Sequence, residues 1–275
     1  MIWTLTLIIL IAAIALYMFG DKLFKQDGKK ASGMDVLLHK GVSALAIVLI
    51  ALCACRLWTP VYLVNTNPAI LQEMVQNMQI QQEKAKTKEV RKYVKHHMDE
   101  MIGNAPIAGN VDAKNTIFLW SDYSCPYCRR VHAELARVLA DRDDVRVVLK
   151  NFSIHGPLSD APAKAVIAAK IQDNAKAAKL DQMLMDKEYY TKDDMKDQSK
   201  LADKIQANVM KLAKEAGLDT KKLAADMEGD VVKAELQNVR ELAQRFEISG
   251  TPYLIVGTQV FAGAVPYARI IEALK

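Results

Sequence analysis

The apolar positions along this chain change their pattern twice. Residues 2–19 (IWTLTLIILIAAIALYMF) carry no charge and are about as long as a helix must be to cross a hydrocarbon core. A second apolar run, residues 42–64, is interrupted by Arg56 and Pro60, and its charge-free part ends at Cys55. Both predict transmembrane helices, over 1–20 and 42–64. In the second, Arg56 can snorkel to the interface if the helix ends near Trp58; the alternative is a re-entrant or interfacial segment. From Asn67-Pro68 onward the pattern becomes helical and amphipathic, with Leu71, Met74, Val75 and Met78, then Val90, Val94, Met98, Met101 and Ile102 on repeating faces. This predicts a helical stalk over 65–102. Within it, residues 81–89 (QQEKAKTKE) offer only Ala85 as an apolar contact, which suits either a solvated helix or a flexible joint. Gly, Pro and Asn in residues 103–114 (GNAPIAGNVDAK) then mark a boundary.

Beyond it the pattern alternates between strand and helix. Residues 116–120 (TIFLW), 145–150 (VRVVLK) and 253–256 (YLIV) read as buried strands, 129–140 as a helix, 159–246 as a helix-rich stretch and 266–274 (PYARIIEAL) as a short closing helix. The fold class is α/β, with a domain over 103–275 whose sheet is interrupted by a helical insertion.

Charge orients the membrane segments. Lys22, Lys25, Lys29, Lys30 and Lys40 crowd the loop 21–41, whereas no Lys or Arg precedes the first run or lies between Leu57 and Glu83. Positive charge marks that loop as cytoplasmic, so everything after residue 64 is expected outside, in the periplasm of a bacterium. The net charge of +5 comes from mixed signs with no concentrated basic patch and no aromatic interleaving, which sets nucleic acid aside.

Four cysteines form two close pairs, Cys53 with Cys55 and Cys125 with Cys128. A stapling disulfide gains from closing a long loop, so a separation of two residues suits chemistry better than stability. Cys53 and Cys55 read as small hydrophobes at the outer end of the second span. An alternative is a lipoprotein-type signal starting at Met34 and ending at Leu52-Cys53. Cys125-Pro126-Tyr127-Cys128 follows a predicted strand and opens a predicted helix. Pro126 suits the first helical position, leaving Cys125 near the N-cap, where free N–H groups and the helix dipole favour a thiolate. Cys125 is the expected nucleophile and Cys128, one turn inward, the thiol that resolves the mixed disulfide. Half of a zinc site is the competing reading; it needs two further ligands, from His132, His155 or elsewhere, and no metal is expected. Gly250-Thr251-Pro252 precedes the last strand, where proline suggests a cis bond at a turn.

On WSDYSCPYCRR, GTPYLIV and the helix-rich stretch between its strands, the chain from residue 111 to 275 resembles the thioredoxin superfamily, and within it the DsbA-like proteins. The resemblance implies a thioredoxin-like fold, a cis bond before Pro252, and substrate contact by Thr251, with Pro126 and Tyr127 in the active-site loop. The segment from Asn65 resembles the N-terminal region of the ScsC and Com1 branch, some of whose members form trimers and act as isomerases. One departure stands out. Many relatives carry an acid six positions before the first cysteine, to take a proton from the second; here that position is Leu119, and Asp122 is the nearby candidate for the role.

The expected activity is disulfide formation or isomerisation in cysteine-containing exported proteins, by a protein of the bacterial inner membrane with a periplasmic catalytic domain. It needs no dissociable cofactor, is recycled by a membrane redox partner, and has the stalk as a candidate homo-oligomerisation segment. A glutaredoxin-like reductase and a non-catalytic metal-handling scaffold are the rival readings.

Overall fold

The computed structural model describes residues 68–275 and isolated helical positions between 11 and 51. Apart from those positions, the runs 2–19 and 42–64, with Cys53 and Cys55, lie outside the described residues. Among the described residues no helix is long and apolar enough to cross a membrane.

Two compact units divide the chain after Gln82. Helix α1 (Pro68–His96) begins in the first and continues without a break through residues 81–89, so the stretch left open by its composition is a helix. In the first unit Leu71, Met74, Val75 and Met78 are all about half exposed, at 49%, 53%, 45% and 60%.

The second unit is built on a five-stranded sheet. After α2 (Met98–Ile102) come β1 (Ile107–Gly109), β2 (Asn115–Ser121), α3 (Pro126–Asp141) and β3 (Val145–Asn151). Helices α4 (Pro157–Gln172), α5 (Asn174–Asp186), α6 (Gln198–Glu215), α7 (Thr220–Asp226) and α8 (Asp230–Arg245) follow, then β4 (Tyr253–Val256), β5 (Gln259–Ala262) and α9 (Tyr267–Ala273). The strand order is β1-β3-β2-β4-β5. Strand β2 runs parallel to β3 and antiparallel to β4, as a helical crossover between β2 and β3 requires.

Successive side chains of a strand point to opposite faces, and β2 divides accordingly. Ile117 and Leu119 pack with Val131, Leu135 and Ile270 under α3 and α9. Phe118 and Trp120 pack on the other face with Val90, Met101, Leu242 and Phe246. Each such fully buried aliphatic or Phe side chain contributes roughly 1.5–3 kcal/mol. Helices α4 to α7 enclose a separate core around Val166, Leu180, Leu184, Ile205 and Leu223, and Tyr123, Cys125 and Cys128 belong to its edge. The C-P-Y-C motif therefore lies where the helical insertion meets the sheet.

A buried ion pair fastens the segment after α2 to this body. Lys150, at the end of β3, donates to Glu235 Oε1 at 2.8 Å, Asn238 Oδ1 at 2.9 Å and the Ile102 carbonyl at 3.2 Å. The second carboxylate oxygen of Glu235 accepts from the Asn104 N–H at 2.6 Å. Neither charged side chain sees solvent, with exposures of 0% and 2%. Gly103 adopts φ +52°, and a Cβ there would come within 2.6 Å of Glu235 Oε2, so glycine is required twice over.

Candidate active site

Cys125 is the N-cap of α3, with extended backbone (φ −81°, ψ 119°), and Pro126 starts the helix. Proline lacks the N–H that a helix start leaves unpaired, so the turn forms at no cost in hydrogen bonding. The Cys125 N–H donates to the Asp122 carbonyl at 3.1 Å, closing a tight turn out of β2. Its Sγ donates to the Thr251 carbonyl at 3.4 Å, and the Thr251-Pro252 bond is cis. Cys125, Pro126, Cys128, Thr251 and Pro252 are thus gathered in one place although the two motifs are far apart in sequence. Tyr127 projects outward, 55% exposed, with the Arg130 guanidinium 5.4 Å from its ring centre. Both cysteines are free thiols.

The two thiols differ in burial. Cys125 retains 5% exposure and Cys128 none. Burial pushes the Cys128 thiol up, to about 12, against the opposing pull of the Asp122 N–H and the hydroxyls of Thr251 and Ser121. The Asp122 N–H lies 3.5 Å from its sulfur. Thr251 Oγ1 is itself buried and finds no hydrogen-bond partner among the described residues. Leu119, where many relatives have an acid, is fully buried in the apolar layer beneath α3.

Asp122 is occupied by the loop. Its Oδ1 accepts from Ser124 N and Oγ at 2.8 Å each and from Ser159 Oγ at 2.5 Å. Its Oδ2 accepts from Ile154 N at 2.8 Å and His155 N at 3.2 Å, with His155 Nδ1 at 3.0 Å. Burial alone would raise this carboxyl, but the donors of Ser159, Ile154, His155 and Ser124 outweigh it and hold Asp122 below the usual carboxylate range. A carboxylate saturated in this way is an anchor between the active-site turn and the segment entering α4. It is poorly placed to take a proton from Cys128, the role its position in the sequence suggests.

A second polar cluster lies behind Cys128. His132, one turn further along α3, has Nε2 3.1 Å from Ser121 Oγ and Nδ1 3.4 Å from Asp181 Oδ2. Tyr123 Oη donates to Asp181 Oδ1 at 2.8 Å and also lies 3.1 Å from Asn151 Oδ1. Burial lowers His132 and raises Asp181, while each opposes the shift of the other. Arg129 closes the cluster by donating to the carbonyls of Met185 at 2.5 Å and Tyr123 at 3.3 Å, joining α3 to the end of α5. Sequence reasoning considered His132 only as a metal ligand and passed over Ser121 and Asp181. The available signal was the helical spacing, because Cys128, Val131, His132, Leu135 and Val138 form one buried face of α3. Among the described residues no three His, Cys, Asp or Glu side chains converge to hold a metal ion.

Comparison with known proteins agrees with this geometry. Residues 101–275 match the family model described as Thioredoxin. A thioredoxin-like oxidoreductase from Silicibacter pomeroyi is 31% identical, with 64% of this chain and 94% of that one covered at a TM-score of 0.55. The catalytic domain of Proteus mirabilis ScsC is 26% identical, with coverages of 67% and 96% and a TM-score of 0.54. Disulfide bond formation protein D of Bacillus subtilis is 24% identical over 184 residues, 63% of this chain and 77% of that protein. With its C-P-Y-C turn at the head of α3 and its cis-proline loop against the first thiol, the chain belongs to the thioredoxin family, among its DsbA- and ScsC-like members.

Proposed function

We propose that this protein is a membrane-anchored thiol–disulfide oxidoreductase that forms or rearranges disulfides in cysteine-containing exported proteins. The observation that carries the reading is the pairing of a thiol that keeps slight exposure with one that has none: Cys125 at the helix start beside Thr251, Cys128 one turn inward. In the oxidising direction a substrate thiolate attacks Cys125 Sγ, the Cys125–Cys128 bond breaks, and Cys128 leaves as the thiolate and gains a proton. A second substrate thiolate then attacks the substrate sulfur of the mixed disulfide, and Cys125 leaves with its electron pair. The substrate is oxidised by two electrons and the enzyme reduced to the dithiol, which a membrane redox partner reoxidises. The chemistry needs no dissociable cofactor.

The Thr251–Pro252 loop, with Pro126 and the exposed Tyr127, forms the surface on which an extended substrate segment lies. Asp122 keeps the active-site turn in register with the entry to α4 rather than exchanging protons. The lysine-rich loop 21–41 between two apolar runs supports anchoring in a bacterial inner membrane with this domain in the periplasm. The half-exposed stripe on α1 supports self-association, which favours isomerase activity by presenting several dithiols to one client.

Activity on reduced and on scrambled ribonuclease, measured side by side, tests the reading. Turnover of either substrate that is lost in Cys125→Ser is the expected result, and faster turnover of the scrambled form identifies an isomerase. No turnover of either would overturn it. A reporter active only in the periplasm, fused after Lys275, should work; activity of a cytoplasmic reporter alone would overturn the topology.

A further inference from the structure

The reaction leaves one proton without an evident holder. Cys128 must lose a proton to attack a mixed disulfide and regain it when the enzyme is reduced. Its burial isolates it from solvent, Leu119 offers no acid, and the Asp122 carboxylate is saturated.

On the proposed function above, we infer that Ser121, His132 and Asp181 form a relay that takes the Cys128 proton and returns it. Three placements carry this. Cys128 and His132 are four residues apart on α3, so their side chains share one face of the helix. Ser121 is the last residue of β2 and precedes Asp122, whose N–H lies 3.5 Å from the Cys128 sulfur, and its hydroxyl is bonded to His132 Nε2 at 3.1 Å, which sets it between the thiol and the ring. Asp181, from α5, backs the ring on the opposite nitrogen at 3.4 Å. All three lie at 4% exposure or less.

The balance closes when Cys128 attacks Cys125 Sγ in a mixed disulfide. The Cys128 proton passes to Ser121 Oγ, and the Ser121 proton passes to His132 Nε2. The Cys125–Cys128 bond forms and the outgoing thiolate carries away the electron pair of the broken bond. Asp181 offsets part of the cost of placing the proton on a buried ring: before the transfer the pair is a neutral imidazole beside a carboxylate, and afterwards it is neutral overall. The reverse sequence protonates Cys128 when the enzyme is reduced. The charged and titratable groups facing His132 are Asp181 and Asp186 from α5 and Arg129 from its own helix. Tyr123, kept protonated by burial and by Asp181, reaches the ring only through that carboxylate. His132 and Asp181 act on the sulfur through Ser121 and are positioning residues.

The test uses the full chain with Cys125 charged as a mixed disulfide with 2-nitro-5-thiobenzoate, whose release reports attack by Cys128. In Ser121→Ala, His132→Gln and Asp181→Asn, release at neutral pH should slow by about a hundredfold or more, the lower reach of general-base catalysis. The pH profile should move to the alkaline side and rejoin the wild type where Cys128 ionises unaided. Loading of Cys125 should be unchanged. A loss of equal size at every pH, or a wild-type profile in Ser121→Ala, which removes one oxygen and keeps the packing, would overturn the relay. If Cys125 takes up no 2-nitro-5-thiobenzoate even in Cys128→Ser, where nothing resolves the mixed disulfide, the proposed function has failed instead. Nitrogen NMR of the wild-type His132 ring adds a check independent of the variants: its protonation should change between the disulfide and dithiol forms, and an unchanged ring would also overturn the proposal.

Discussion

The Cys128 sulfur lies 3.5 Å from the backbone N–H of Asp122, whose side chain turns away to bind the segment entering α4. One residue thus fixes the buried thiol through its backbone and the loop through its carboxylate. Changes to the Asp122 side chain therefore act on the loop first and on the thiol only by displacement.

Cys128 should resist alkylation. With its thiol pushed up to about 12 by burial, it stays protonated far above neutrality, and the thiol form is a poor nucleophile. In the reduced protein, one equivalent of iodoacetamide near neutral pH should label Cys125 alone, as peptide mapping will show. Cys125→Ser should abolish exchange, and Cys128→Ser should accumulate mixed disulfides. Equal labelling of the two thiols would overturn the assignment.

Asp122→Asn should lower stability by about 2 kcal/mol at neutral pH, since it removes hydrogen bonds to a buried charge. The folded-state value of this carboxyl is depressed, so its contribution is fully present above the unfolded value and is lost as pH falls through the folded one. The gap between variant and wild type in urea denaturation should therefore narrow on acidification below the ordinary carboxylate range. A gap that widens there would show that Asp122 is not held as the anion.

Lys150→Met leaves Glu235 buried without its cation, and should cost about 3–5 kcal/mol in denaturant unfolding. The double variant Lys150→Met with Glu235→Leu should recover a large part of that loss, because no charge then remains unpaired. Equal losses in the single and double variants would mean that packing, not charge, dominates at this site.

The stripe on α1 should set the oligomeric state. Leu71→Glu with Met78→Glu places two charges on the half-exposed face, and should lower the mass of the full chain measured by light scattering in detergent. Scrambled-ribonuclease activity should fall with it. An unchanged mass would leave the stalk as a spacer.

The legible parts of the fold are those with enough residues to show a period. Strands β2 and β3 and helix α3 each present a continuous apolar face, and β4 is a short apolar run set off by Pro252 and Gly257. Strands β1 and β5 are three and four residues long at the sheet edges, too short to alternate visibly, and the first lies in a Gly- and Asn-rich stretch that reads as a boundary. At the site, C-P-Y-C and Thr251-Pro252 announce themselves by spacing. His132 and Asp181 do not, because polar residues on helices read as solvated until tertiary packing buries them. Beyond the local Ser124, the partners of Asp122 come from residues 154, 155 and 159, and no local rule assigns those to a turn that precedes them by more than thirty residues.

Thr251, whose carbonyl accepts from Cys125, is separated from it by 126 positions, with the whole helical insertion in between. Synthesis proceeds from the N-terminus, so the dithiol emerges well before the segment that shields its first sulfur. For the time it takes α4 to α8 and β4 to follow, C-P-Y-C is a bare pair of thiols on an unfinished chain. It can be oxidised then by whatever disulfide it meets, and its substrate surface exists only once the last strands have closed. The order of the two motifs therefore makes the newborn protein a client of disulfide chemistry before it becomes a catalyst of it.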